Sequence, residues 1–280
     1  MLIRTFALSL VLACTTPAFA QQRPLSTEDP ETVGAGRVLV EAGFDYSRDA
    51  RYPVSGLRGH LLSVPTLGVS IGLSSIAELQ LDGGPYDRLS ITERTPAPLS
   101  DMLTVSGTTT HSVDDLVIGT KIRMVPEGVG RPAIGIRFAT KLPNASNESG
   151  LGLDTTDFHA TILVAKTVQS VRVVGNAGVS ILGDPTRGDR QNDVVTYGVS
   201  FARALTTKAE IVGELHGRLD TRAGDPPPGT ESRSVLRVGS RYTVGAWRGD
   251  VGLALGLTDS EPTVGVTAGF TYVFQGFKIP

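Results

Sequence analysis

The chain has 280 residues, a formal net charge of -2, 33 glycines and only 19% charged residues. No lysine or arginine stripe stands out, which excludes nucleic acid as a partner. The one cysteine, Cys14, lies in the first twenty residues, so a chain that loses them has no disulfide and no thiolate metal site.

Those first residues, MLIRTFALSLVLACTTPAFA, place Arg4 ahead of an apolar run and end in Ala18-Phe19-Ala20. The pattern is that of a secretory signal peptide over residues 1–20, with Gln21 as the mature N-terminus. Residues 21–35, QQRPLSTEDPETVGA, form a polar N-terminal segment, and residues 36–280 carry the rest of the protein. No stretch beyond the signal reaches the about 18 to 20 apolar residues of a membrane helix.

From there the sequence alternates with a period of two. RVLVEAGFDY sets Val38, Val40, Ala42, Phe44 and Tyr46 against Arg37, Glu41 and Asp45. HLLSVPTLGVSI contains Pro65, which removes a ladder hydrogen bond and predicts a bulge. IAELQLD sets Leu79 and Leu81 against Glu78 and Asp82, and DLVIGTKIRMV sets Ile118 and Ile122 against Lys121 and Arg123. Eight further segments follow with no helical interruption: RPAIGIRFATKL, DFHATILVAKT, VRVVGNAGVSI, DVVTYGVSFARA, AEIVGELHGRLD, SVLRVGSRY, DVGLALGL and TVGVTAGFTYVF.

These about twelve strands are longer than the 5 or 6 residues usual in globular proteins and match the 9 to 11 of a tilted bilayer-crossing strand. Their connections alternate long and short, as in outer-membrane barrels. The fold class predicted is therefore an all-β, transmembrane antiparallel barrel. Its outer face meets hydrocarbon, and closure follows because unpaired backbone groups find no water in lipid. Phe44, Tyr46, Phe201, Tyr242, Trp247, Tyr272 and Phe274 are expected at the membrane interfaces.

The segments GLGLDTTDFHATILVAKT, NAGVSILGDP, AEIVGELHGR and GLTDSEPTVGVTAGFTYVF resemble the MetA-pathway phenol-degradation proteins, a family of outer-membrane transport barrels. The resemblance runs from about Leu142 to Phe274 and more faintly over the first half. It implies uptake of hydrophobic or aromatic small molecules and brings no catalytic residues. The trailing QGFKIP departs from barrels that end on an aromatic residue.

The residues expected to line the lumen, beyond Arg37, Glu41 and Asp45, are Glu78, Asp82, Lys121, Arg123, Arg137, Lys141, Arg172, Glu214, His216, Arg218, Asp220, Arg237, Arg241 and Asp250. They read either as a selectivity lining or as paired charges that cross-link the walls. Basic residues slightly outnumber acidic ones, favouring an anionic or neutral permeant over a cation. His216 lies between Glu214 and Arg218, which raises a hydrolase of the membrane phospholipase type, but no serine neighbours His216 or His159 on its own strand. The expectation is a passive channel without enzyme activity, cofactor or metal, whose partners are the outer-membrane bilayer, a small-molecule permeant and the barrel assembly machinery. A non-conducting structural barrel is the alternative. Either the polar N-terminal segment or the roughly thirty-residue connection from Gly83 to Val113 is expected to fold into the lumen.

Overall fold

In the computed structural model, residues 23–278 are described; the expected signal peptide lies outside them. The strands are β1 (Arg37–Tyr52), β2 (Leu57–Gly72), β3 (Ala77–Gly83), β4 (Asp87–Arg94), β5 (Thr109–Ser112), β6 (Leu116–Val125) and β7 (Ala133–Leu142). They continue as β8 (Asp157–Val168), β9 (Val171–Gly183), β10 (Gln191–Ala204), β11 (Ala209–Asp220), β12 (Arg233–Val244), β13 (Trp247–Gly256) and β14 (Val264–Gln275). All but β4 and β5 form a closed twelve-stranded antiparallel barrel, sealed where β1 pairs with both β2 and β14. The seam is long, with Arg37 opposite Gln275 at one end and Arg48 opposite Val264 at the other.

The two faces of the wall are inverted relative to a water-soluble protein. Val199 and Ile162 are 58% and 57% exposed on the outside, while Glu78 and Lys121 are fully buried inside. A continuous outer surface of Val, Leu, Ile and Phe is far larger than a soluble monomer carries and requires an apolar solvent. The barrel needs no apolar core because its interior is filled by polar side chains and, as described below, by its own N-terminal segment.

One end of the barrel has short turns, such as residues 169–170 between β8 and β9 and 245–246 between β12 and β13; the other carries longer loops. At the turn end Trp247 stacks on Tyr272 at 4.3 Å, and Tyr272 on Phe274 at 5.6 Å, forming part of an aromatic girdle. Phe44 and Tyr46 do not sit at a strand end, because β1 continues to Tyr52.

The long connection expected between the first two strands is a short turn, residues 53–56, because both strands run to 16 residues and rise above the barrel. The predicted irregularity at Pro65 is present. The β1–β2 register jumps between Gly43 and Asp45, opposite Val64 and Pro65, and there β2 changes partner from β3 to β4. The connection after Gly83 does not enter the lumen. It forms the β4–β5 hairpin, which extends the wall along the upper half of β2. The alternation there is legible in DRLSITER, but its charges on both faces masked it from a search for membrane strands.

At the loop end, Ala50, Leu57 and Leu89 form an apolar cluster with Tyr52, Leu103 and Leu151 around it. The loops are tied across the mouth by Leu99 N–H to Val54 O (3.0 Å) and by the Ser55 hydroxyl to Gly150 O (2.8 Å).

Candidate functional site

The lumen is occupied by residues 23–35, which circle the inside of the wall from the turn end. Gly36 donates to Gly72 O, and Val33 packs against Leu39 and Val273 while its N–H donates to Glu78 (2.6 Å). Glu31 then pairs with Arg123, and Asp29 with Arg172. Glu28 lies 3.2 Å from Lys121 and 3.0 Å from Arg137, and its backbone makes two hydrogen bonds with the Asn176 amide. Ser26 and Thr27 bind Glu214, and the Arg237 guanidinium donates to Pro24 O (3.0 Å). Arg23 reaches the seam, donating to Thr66 of β2 and Thr267 of β14, with Asp250 at 3.5 Å.

Inward glycines seat this segment. A Cβ at Gly198 would lie 3.0 Å from the Thr27 hydroxyl, and one at Gly252 would lie 3.1 Å from Pro24. The glycine-rich inner faces of the strands thus leave room for a second layer of backbone inside the cylinder.

Each of the expected lumen residues lies on the inward face. Lys121 also meets Glu78 at 3.0 Å; Arg137 also reaches Asp82 at 3.7 Å; Lys141 holds Asp115 and Asp157 at 3.1 and 3.0 Å. Arg237 lies 3.4 Å from Glu214, and Arg241 lies 4.0 Å from Glu210 while donating to Arg23 O. Asp220 accepts from the Asn192 amide at 2.9 Å. Arg218 donates to the carbonyls of Glu231 and Gly229. Glu127, in the turn after β6, accepts from the Thr167 N–H and from Arg172; burial opposes its charge, but these bonds and Lys166 hold its carboxyl below the ordinary range.

Gln80 and Asn176, on the polar faces of IAELQLD and VRVVGNAGVSI, share this lining with Glu210 and Arg233, which the strand pattern left out. Arg233 falls one residue before the strand as read from SVLRVGSRY. Gln80 and Asn176 are neutral amides that a search for charges passes over.

His216 Nε2 is 3.6 Å from a Glu214 oxygen, but that carboxylate is already occupied by Ser26 and Thr27. His159 Nδ1 is 2.7 Å from Ser180 Oγ, a contact hidden from the sequence because Ser180 stands across on β9. Asp157, two residues from His159, is committed to Lys141 and the Gly183 N–H, so it does not complete a nucleophile-base-orienter arrangement.

Among the described residues, two cavities border the N-terminal segment. One of about 390 Å³ lies between Ser26–Glu28 and a wall that includes His159, Thr161, Asn176, Ser180 and His216. The other, of about 530 Å³, lies at the turn end against Glu31–Ala35, Arg123 and Arg172. The ion-paired stretch Glu28 to Glu31 stands between them.

The closed barrel agrees with the comparisons with known proteins. A family model described as "Putative MetA-pathway of phenol degradation" matches residues 21–274. The chain belongs to this family. Among solved structures, this MetA-pathway family member is similar to the COG4313 outer membrane channel from Pseudomonas putida F1. The TM-score is 0.63 at 13% identity, over 88% of this chain and 98% of that one. It is also similar to the NanC porin, with a TM-score of 0.52 at 9% identity, over 84% of this chain and 98% of that one. No curated protein matches the sequence. The match places the family member among outer-membrane β-barrels, with lipid as its surrounding solvent.

Proposed function

We propose that this protein is a passive outer-membrane channel for small molecules, in which the N-terminal segment sets the resistance of the pore. The observation that carries the reading is the pair of lumen cavities separated by a single ion-paired strand of chain from Glu28 to Glu31. A purely structural barrel would gain most from a continuous packed interior; here polar space lies on both sides of one thin partition. The short turns and both ends of the barrel-forming chain face the periplasm, and the longer loops face outward, the arrangement typical of such barrels. The family description supports hydrophobic or aromatic compounds as permeants. Insertion through the barrel assembly machinery belongs to the same reading.

The test is a single-channel recording in planar bilayers of the mature protein and of a variant lacking residues 21–34. The truncated barrel is expected to conduct several-fold more than the intact one, by analogy with open barrels of similar strand number. Equal conductance and gating in the two would reject the segment as the resistance. Absence of liposome swelling and of current in both would leave the structural alternative.

A further inference from the structure

In the lower lumen, Lys121, Arg123, Arg137, Arg172 and Arg237 of the wall are each matched by an acid, supplied for the first four by Glu28, Asp29 and Glu31 of the N-terminal segment. In the upper lumen two basic residues are not. Arg218 on β11 and Arg233 on β12 stand directly opposite each other in the antiparallel register, on the same inward face. Among the described residues neither has a carboxylate within the 4.0 Å of an ion pair. Arg218 is held by two carbonyls of the 221–232 loop, Glu231 O at 2.9 Å and Gly229 O at 2.6 Å. The Nε of Arg233 is buried with no hydrogen-bond partner. Like charges directly opposite across a strand pair destabilise a sheet, and a buried donor without an acceptor adds to that cost. Glu231, Asp157 and Glu261 lie within electrostatic range of Arg218 and temper the field, while leaving the guanidinium edges without an acid in contact.

We propose that Arg218 and Arg233 form a subsite at the outer mouth of the lumen that takes the carboxylate of a small apolar monocarboxylic acid. Two guanidinium groups offer the planar, multiple donors that suit a carboxylate. The acids nearby disfavour a doubly charged phosphate, so one negative charge is the match. An apolar body is favoured by what lies beside the pair. Gly229, on the loop that holds Arg218, packs so closely on Val54 and Leu153 that a Cβ there would lie 3.2 and 3.3 Å from them. Tyr52, on the rim of the Leu57 and Leu89 cluster, is in electrostatic range of Arg233. The subsite rests on the channel reading for its role in passage, and its binding chemistry can be measured without it.

The experiment is calorimetric titration of the detergent-solubilised mature protein with sodium benzoate, acetate, benzyl alcohol and inorganic phosphate, on wild type, Arg233→Gln, Arg218→Gln and Arg233→Lys. Heat-modifiable migration on a gel confirms that each variant is folded. Benzoate is expected to bind most tightly and to weaken about tenfold in each glutamine variant, with Arg233→Lys falling between wild type and Arg233→Gln because it keeps the charge and loses the planar fork. In wild type alone, benzoate affinity is expected to fall as sodium chloride is raised. Equal binding of benzoate and benzyl alcohol, tighter binding of phosphate, or unchanged benzoate affinity in the glutamine variants would overturn the proposal. Benzoate binding by a protein that passes no current would remove the channel reading and keep the subsite; current without benzoate binding would do the reverse.

Discussion

The Glu214 carboxylate receives both the backbone N–H of Thr27, at 2.8 Å, and its hydroxyl, at 2.7 Å. With the Ser26 N–H also donating to it, this one wall residue is the main anchor of the N-terminal segment's leading end. Hydrogen bonds to a charged acceptor contribute about 1.5 to 3 kcal/mol each in buried settings. Glu214→Ala is therefore expected to release the segment's tip without unfolding the barrel. Single-channel traces should show a larger and noisier conductance, with gel migration unchanged.

A complementary change acts from the segment's seat rather than its anchor. At Gly198 only side chains crowd the position a Cβ would take, with the Thr27 hydroxyl at 3.0 Å. Gly198→Val is expected to displace Thr27 and give the same conductance phenotype as Glu214→Ala, whereas Gly198→Ala should be close to wild type. The comparison of the three recordings checks that displacement, and not charge, opens the path.

Lys121 has no exposed surface and lies between Glu28 and Glu78. Removing one partner of a buried ionic group leaves the others uncompensated, at about 3 to 5 kcal/mol. Lys121→Met is expected to lower the unfolding free energy by about that amount, measured by urea titration in micelles. A Lys121→Met, Glu78→Gln double variant is expected to recover most of it, because Glu28 keeps Arg137 as a partner at 3.0 Å.

Glu127 provides a pH signature outside the membrane-spanning strands. Its carboxyl is held low by the Thr167 N–H, Arg172 and Lys166, so the folded protein binds its proton less readily than the unfolded chain. The stabilisation is complete above the unfolded carboxylate range near about 4.3 and is lost as pH falls through the lower folded value. Wild type is expected to exceed Glu127→Gln by about 1 kcal/mol at pH 7. The two denaturation curves should converge as pH falls below the ordinary carboxylate range.

The barrel and its sidedness of charge were readable in the sequence because a closed sheet converts residue parity directly into inside and outside. Glu78, Lys121 and Arg237 point inward for no reason beyond their alternation with Leu79, Ile122 and Leu236. What parity cannot carry is partnership. Arg172 meets Asp29, and Arg123 meets Glu31, through a segment more than ninety residues away in sequence, so no local pattern announces those pairs. The height of the wall was also hidden. β1, β2 and the β4–β5 hairpin run on past the membrane with charged residues such as Arg58 and Glu93 paired between β2 and β4, in a pattern suited to water. Inward glycines were visible as an anomaly, and their cause appears only with Thr27 and Pro24 lying against Gly198 and Gly252.

The account rests on an outer face dissolved in hydrocarbon. Trp247 is the single tryptophan of the chain, half-exposed beside Tyr272 in the turn-end girdle. Its fluorescence in liposomes containing brominated phospholipids reads that contact directly. Strong quenching is expected, greater for bromine near the headgroups than near the bilayer centre, because interfacial tryptophans sit at that level. Emission untouched by bromine at either depth, and fully quenched by aqueous iodide, would contradict a lipid-facing barrel.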